Sequence, residues 1–233
     1  MKLYTLFVCW SILSLFMLPL AFANTWSPEM FLNYSVDSFS KYALAQQQII
    51  IEEIDYMLLN AALFYETNRR RIEHNLPAFR HSDALEETAH SHSRDMVEKK
   101  FFEHTSPVKG KRTLKDRLER NGIVNANIAE NIAYLSALNR DPDRPLYTPE
   151  QNGGYFSYTY KGAPLANHSY LSLAKALVDQ WMTSKGHREN ILNRHYIFLG
   201  CGAAHYKDSS FYNMDRFKAT QNFSSKDAKR ETN

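Results

Sequence analysis

Residues recur every three or four positions along one series, Ile50, Ile54, Met57, Ala61, Tyr65, Asn68 and Ile72. That period marks one face of an α-helix. Ile49, Ile51, Leu58, Leu59, Leu63 and Phe64 widen the stripe, so the helix is expected to be covered on more than one side. Asn75-Leu76-Pro77 ends it. The rest of the fold has to be built around this element.

Further helical signals follow. One starts near Asp83, with Glu86 placed for a capping box and Leu85, Ala89, His92 and Met96 as its inner face. A short one runs from a Thr113 cap through Leu114 and Leu118 and closes at Asn121-Gly122. Another carries Leu173, Leu177 or Val178, and Trp181, and stops near Lys185-Gly186. Residues 197–206 and 210–217 read as two strands of a hairpin, and the polar residues from Lys218 as a frayed tail. Residues 136–170 look loop-like, with four of the eight prolines, Gly153-Gly154 and several tyrosines. Helices and strands mix without strict alternation, which predicts an α+β fold with helices flanking an antiparallel sheet.

The beginning of the chain has a separate purpose. Lys2, the apolar run Leu3 to Leu20 and the small-x-small ending Ala21-Phe22-Ala23 form a secretory signal over residues 1–23. The run is near the ~18–20 residues that span a bilayer, but its ending favours cleavage over a membrane anchor. Cys9 leaves with this signal, and Cys201 is left as a single thiol within an apolar strand, where it serves as a small buried hydrophobe. A net charge of +3 spread along the chain carries no nucleic-acid footprint. The three Asn-x-Ser triplets, at Asn33, Asn167 and Asn222, match a glycosylation pattern that arises often by chance.

Chemistry has to come from residues gathered from separate segments, because the chain contains no His-Glu-x-x-His, Gly-x-Ser-x-Gly or phosphate-loop motif. Three stretches stand out. His104 follows an aromatic pair in Phe101-Phe102-Glu103-His104-Thr105-Ser106-Pro107. Glu130 sits among small and apolar residues in Ala129-Glu130-Asn131-Ile132-Ala133, where a buried carboxylate must be paired. His187 follows a glycine in the run Trp181 to Leu192, WMTSKGHRENIL. Each has a structural alternative: a turn cap for His104, backbone bonding for Glu130, and a helix C-terminus for His187. Arg69-Arg70-Arg71 reads as a solvated helix end, and Asn131 and Asn190 as structural bonders.

Together with Asn68 to Pro77 (NRRRIEHNLP) and Ala89 to Met96 (AHSHSRDM), these stretches resemble the CAP superfamily, or SCP-like extracellular domain, in its bacterial disulfide-free branch. The resemblance covers roughly residues 56–217, after an extension at 24–55 and before a polar tail at 218–233, with 136–170 as a loop-like insertion. It implies an α-β-α sandwich with a central antiparallel sheet and a cleft holding two histidines and two acids. His104 and His187 match the histidines and Glu130 the first acid; Ser184 stands where the second acid would fall.

Two imidazoles suit a divalent metal such as zinc, but they leave two tetrahedral positions open, so such an ion would be weakly bound. Glu130 could orient a histidine or act as a base toward bound water. His90 and His92 lie two apart on a helix and are poor additional ligands, and His92 reads as a core histidine. Three functions follow. The first is a secreted or periplasmic binding module for a lipid, glycan or protein, with no stable membrane insertion once the signal is cleaved. The second is a metal-dependent hydrolase or peptidase using Glu130. The third is an interaction protein with a vestigial cleft.

Overall fold

The computed structural model describes residues 26–228. The signal over 1–23 and the end of the polar tail lie outside that range. Among the described residues, seven α-helices flank a four-stranded sheet: α1 (Val36–Phe39), α2 (Tyr56–Glu73), α3 (Asp83–Glu98), α4 (Leu114–Glu119), α5 (Pro149–Asn152), α6 (Tyr170–Thr183) and α7 (Lys185–Ile191). The strands are β1 (Arg80–His81), β2 (Ile128–Ser136), β3 (Phe198–Asp208) and β4 (Met214–Ser224), in the order β1-β3-β4-β2. β4 pairs antiparallel with both β2 and β3, and the two-residue β1 joins β3 in parallel. α2 and α6 cover one face and α3 the other, which is the α-β-α sandwich expected.

The long helix begins later than its periodicity predicts. A short 3-10 turn at Ile51–Glu53 breaks the phase, and Asp55 then caps α2 by accepting from Leu58 N at 2.9 Å. Ile50, Met57 and Ile72 are therefore exposed, and the continuous run from Leu58 to Asn68 is buried. The run is covered on several sides because α2 lies between the sheet, α6 and the segment before it. That segment is packed into the same core: Trp26, Phe39, Ala45 and Ile49 are buried, and Tyr65 meets Trp26 edge-on and stacks on Phe39.

The other layer depends on two glycines. A Cβ at Gly200 would collide with the backbone of Leu85 and Glu86, and one at Gly202 with the backbone of Ala89 and His90. Both face α3, so β3 and α3 can approach backbone to backbone only while these positions lack side chains. Ser82, rather than Asp83, caps α3, accepting from Leu85 N, and Glu86 turns to His81 instead. β1 covers β3 only at its start. Further along, Asn60 Oδ1 accepts from Ala203 N at 3.1 Å and the Tyr56 hydroxyl from His205 N at 3.3 Å, so α2 satisfies that edge.

Three expectations are corrected. The frayed tail does not begin at Lys218: β4 continues to Ser224 as an inner strand, and Lys218 to Ser224 are buried. Their polar groups find partners across the fold, as with Lys218 Nζ, which donates to the carbonyls of Met96 and Phe101 at 2.8 Å each. Arg71 is not at a solvated helix end. It is buried over the Phe79 ring and donates to the carbonyls of Pro77, Ile191 and Asn193, tying α2 to the end of α7. Gly186 does not end a helix: extended backbone at Ser184 separates α6 from α7, which places Gly186 and His187 in the first turn of α7. Residues 136–170 are largely loop, held by bridges Leu138↔Asn167 and Tyr147↔Ser157.

Candidate functional site

β2 lies at the open edge of the sheet, and its alternation sends successive side chains to opposite layers. Glu130 points toward the side of α3 and α4, and Asn131 toward α2 and α7. Each is paired across β4 with an amide: Glu130 stands opposite Asn222, and Asn131 opposite Gln221.

Glu130 is the centre of the first group. Its side chain is 3% exposed, and Oε1 accepts from His104 Nδ1 at 2.9 Å. Oε2 accepts from Arg117 Nη2 at 2.6 Å. With the Asn222 amide oriented to satisfy both its ends, it donates to the same oxygen at 3.1 Å and accepts from Ala89 N at 3.1 Å. Burial alone would raise the pKa of Glu130. The His104 bond and the charges of Arg117 and His92 outweigh burial and hold the carboxyl below its ordinary range. Arg117 is fixed in turn by the carbonyls of His104 and Lys111, at 3.1 and 3.2 Å. His104 has a side chain 55% exposed, so it presents its outer ring edge to solvent while Glu130 holds Nδ1. His92 is the core histidine expected: it is fully buried, its Nε2 lies 3.1 Å from the Glu103 carbonyl, and burial brings its pKa down to about 4.

The second group lies on the other face. Asn131 Nδ2 donates to the His187 carbonyl at 3.1 Å and to Gln221 Oε1 at 2.9 Å, and its Oδ1 accepts from Asn190 at 2.9 Å. Gln221 continues to Thr67 Oγ1 at 2.6 Å, which donates to the Leu63 carbonyl. This chain of amides fixes α7 to β2 and to the middle of α2. Partial burial lowers the pKa of His187 and favours its neutral form. Ser184 sits at the break before α7, and its hydroxyl does not cap that helix.

The four candidate residues are therefore not equivalent. His104 and Glu130 are bonded, and His187 lies within electrostatic reach of His104. Ser184 belongs to the helix junction. Arg117 and Asn222 complete the surroundings of Glu130 and were not among the site candidates read from the sequence. Arg117 carries one available signal: it is three residues from Leu114 and next to Leu118, on the inner side of a short helix. Asn222 carries none, because its strand reads as a polar tail. Its burial also removes it as a glycosylation position in the folded chain.

The chain belongs to the CAP family, described as the cysteine-rich secretory protein family, which matches residues 64–223. It is 31% identical over 157 residues to the uncharacterized membrane protein YlbC of Bacillus subtilis (strain 168), covering 67% of this chain and 32% of that protein. It is 28% identical over 136 residues to the uncharacterized protein YkwD of the same organism, covering 58% and 38%. The chain thus spans about a third of the length of these curated relatives. Among solved structures it is similar to an extracellular protein containing a SCP domain from Bacillus anthracis str. Ames, at 24% identity and a TM-score of 0.49, covering 76% of this chain and 44% of that one. No helix among the described residues is long and apolar enough to cross a membrane.

Proposed function

We propose that the chain is an exported, secreted or periplasmic binding module whose recognition point is the pair His104 and His187. One observation carries this reading: a buried, ion-paired Glu130 holds Nδ1 of a solvent-exposed His104. A carboxylate on Nδ1 selects the tautomer with the proton there, which leaves Nε2 as a free lone pair facing outward. His187, kept neutral by its surroundings, offers a second such nitrogen. Phe102 and Tyr134, both exposed and packed edge-to-face at 5.1 Å, add an aromatic surface near His104. Such a surface suits a lipid, a glycan or a protein side chain.

The donor set also limits what metal the pair could hold. No group of three His, Cys, Asp or Glu residues close enough to share an ion occurs among the described residues. Glu130 is fully engaged by His104 and Arg117. His104 and His187 would therefore hold a divalent ion such as zinc only weakly, with its other positions open to water or ligand. The ion would supply a polarising charge to that ligand. The same engagement weighs against Glu130 as a general base, because a paired carboxylate of lowered pKa is a weak proton acceptor. Its role in this reading is to position His104.

Zinc titration by calorimetry tests the pair. The parent chain should bind weakly, the His104→Ala, His187→Ala double variant should not bind, and Glu130→Gln should bind about 10–100-fold more weakly than the parent. Equal binding by the double variant would sink the reading.

A further inference from the structure

A cavity of about 270 Å³ is lined by residues of α3, α4 and the loop before α4, and none of His104, Glu130 or His187 lines it. Arg94, Lys111, Arg117 and Arg120 line it, with Ser91 and a single carboxylate, Glu87. Two of the cations, Lys111 and Arg117, are anchored from behind, and Arg94 makes only a half-exposed surface pair. Lys111 Nζ donates to Asp95 at 2.9 Å and to Ser91 at 2.8 Å. Arg117 is tied to Glu130, and Arg94 lies 3.8 Å from Glu98. Asp95, Glu98 and Glu130 are not among the residues that line the cavity, and Glu87 is.

Arg117 provides the second observation. It is only 2% exposed, yet its Nε, which is fully buried, has no hydrogen-bond partner. Buried guanidinium N–H groups without an acceptor are costly, and Arg117 is one of the residues that line the cavity. The donors come from separate segments: Ser91 and Arg94 from α3, Lys111 from the loop before α4, and Arg117 and Arg120 from α4 and its end. A planar carboxylate is served by one guanidinium fork, whereas a tetrahedral oxyanion can use donors spread around it. We infer that this cavity is a binding site for a phosphoryl group, either free phosphate or a phosphomonoester on a larger molecule.

Titration of the isotope-labelled chain with inorganic phosphate, glycerol 3-phosphate and acetate, followed by NMR, tests this. Saturable shifts confined to α3, α4 and the Lys111 loop are expected with the first two compounds and not with acetate. Saturation by phosphate alone assigns a free ion, and tighter binding of glycerol 3-phosphate assigns an ester. Arg94→Ala and Arg120→Ala should each weaken binding about tenfold, and Glu87→Gln should tighten it. Lys185→Ala removes an exposed cation on α7 and should leave it unchanged. Absence of saturation, equal response to acetate, or equal loss in Lys185→Ala would overturn the assignment.

Discussion

Arg117 Nη2 lies 2.6 Å from Glu130 Oε2, and both side chains are almost fully buried. The pair joins α4 to the edge strand and, through the other carboxylate oxygen, sets the ring of His104. Removing one partner leaves a buried charge without compensation. Arg117→Leu should therefore destabilise the protein by about 3–5 kcal/mol, and Arg117→Leu with Glu130→Leu by less than the single change. Urea denaturation measures both. A single variant within about 1 kcal/mol of the parent would show that the pair is not structural.

Burial depresses the pKa of both His92 and His168 to about 4 from an ordinary value of 6.5. The unfolded chain takes up these protons as pH falls through 6.5, whereas the folded chain does not until about 4. Stability should therefore be full above pH 6.5 and decline between 6.5 and 4. The slope is about 1.4 kcal/mol per pH unit for each proton. Thermal melts across that range should show the decline, with a shallower slope in His168→Gln. A parallel slope in that variant would remove His168 from the account.

Gly202→Ala should cost about 3 kcal/mol, at the upper end of overpacking effects. The added methyl meets the backbone of α3, which cannot rotate aside. Gly153→Ala is the contrasting case, since space around that position is open and only its positive φ of 75° resists the change. A melting temperature for Gly202→Ala equal to that of the parent would mean that α3 can shift away from β3.

Cys201 is fully buried, and burial raises its thiol pKa well above the ordinary value. A protonated, enclosed thiol is a poor nucleophile. The native protein should resist a disulfide reagent for as long as it stays folded, and react at once in denaturant. Rapid native labelling would place Cys201 at an opening rather than in the core.

His104 and Glu130 stood out in the sequence because their segments together resemble those of the CAP superfamily, whereas the bond between them is seen only in the structure. The layers were legible because α3, α4 and α6 carry period and cap signals. What escaped has a common cause. Lys218, Gln221 and Asn222 are polar, and local reading places polar residues outside. Each is buried because its partner lies far away in the chain: Met96 and Phe101 for Lys218, Thr67 and Asn131 for Gln221, Glu130 for Asn222. Arg71 escaped in the same way, since the carbonyls it serves belong to the end of α7 and the loop beyond. A buried polar group is identified by its partner, and no local pattern contains that partner.

The position of β4 in the sheet governs the order in which the fold can form. Among the described strands it is the last to be made, and it lies between β3 and β2. During synthesis β2 emerges long before the strand it pairs with, and Glu130 has to wait for Asn222 to be made. Pairings this distant are slow to close and leave an unpaired, apolar edge exposed in the interval. A newly made chain is therefore prone to association until β4 arrives, and a chain stopped before residue 214 would lack the strand that joins β3 to β2.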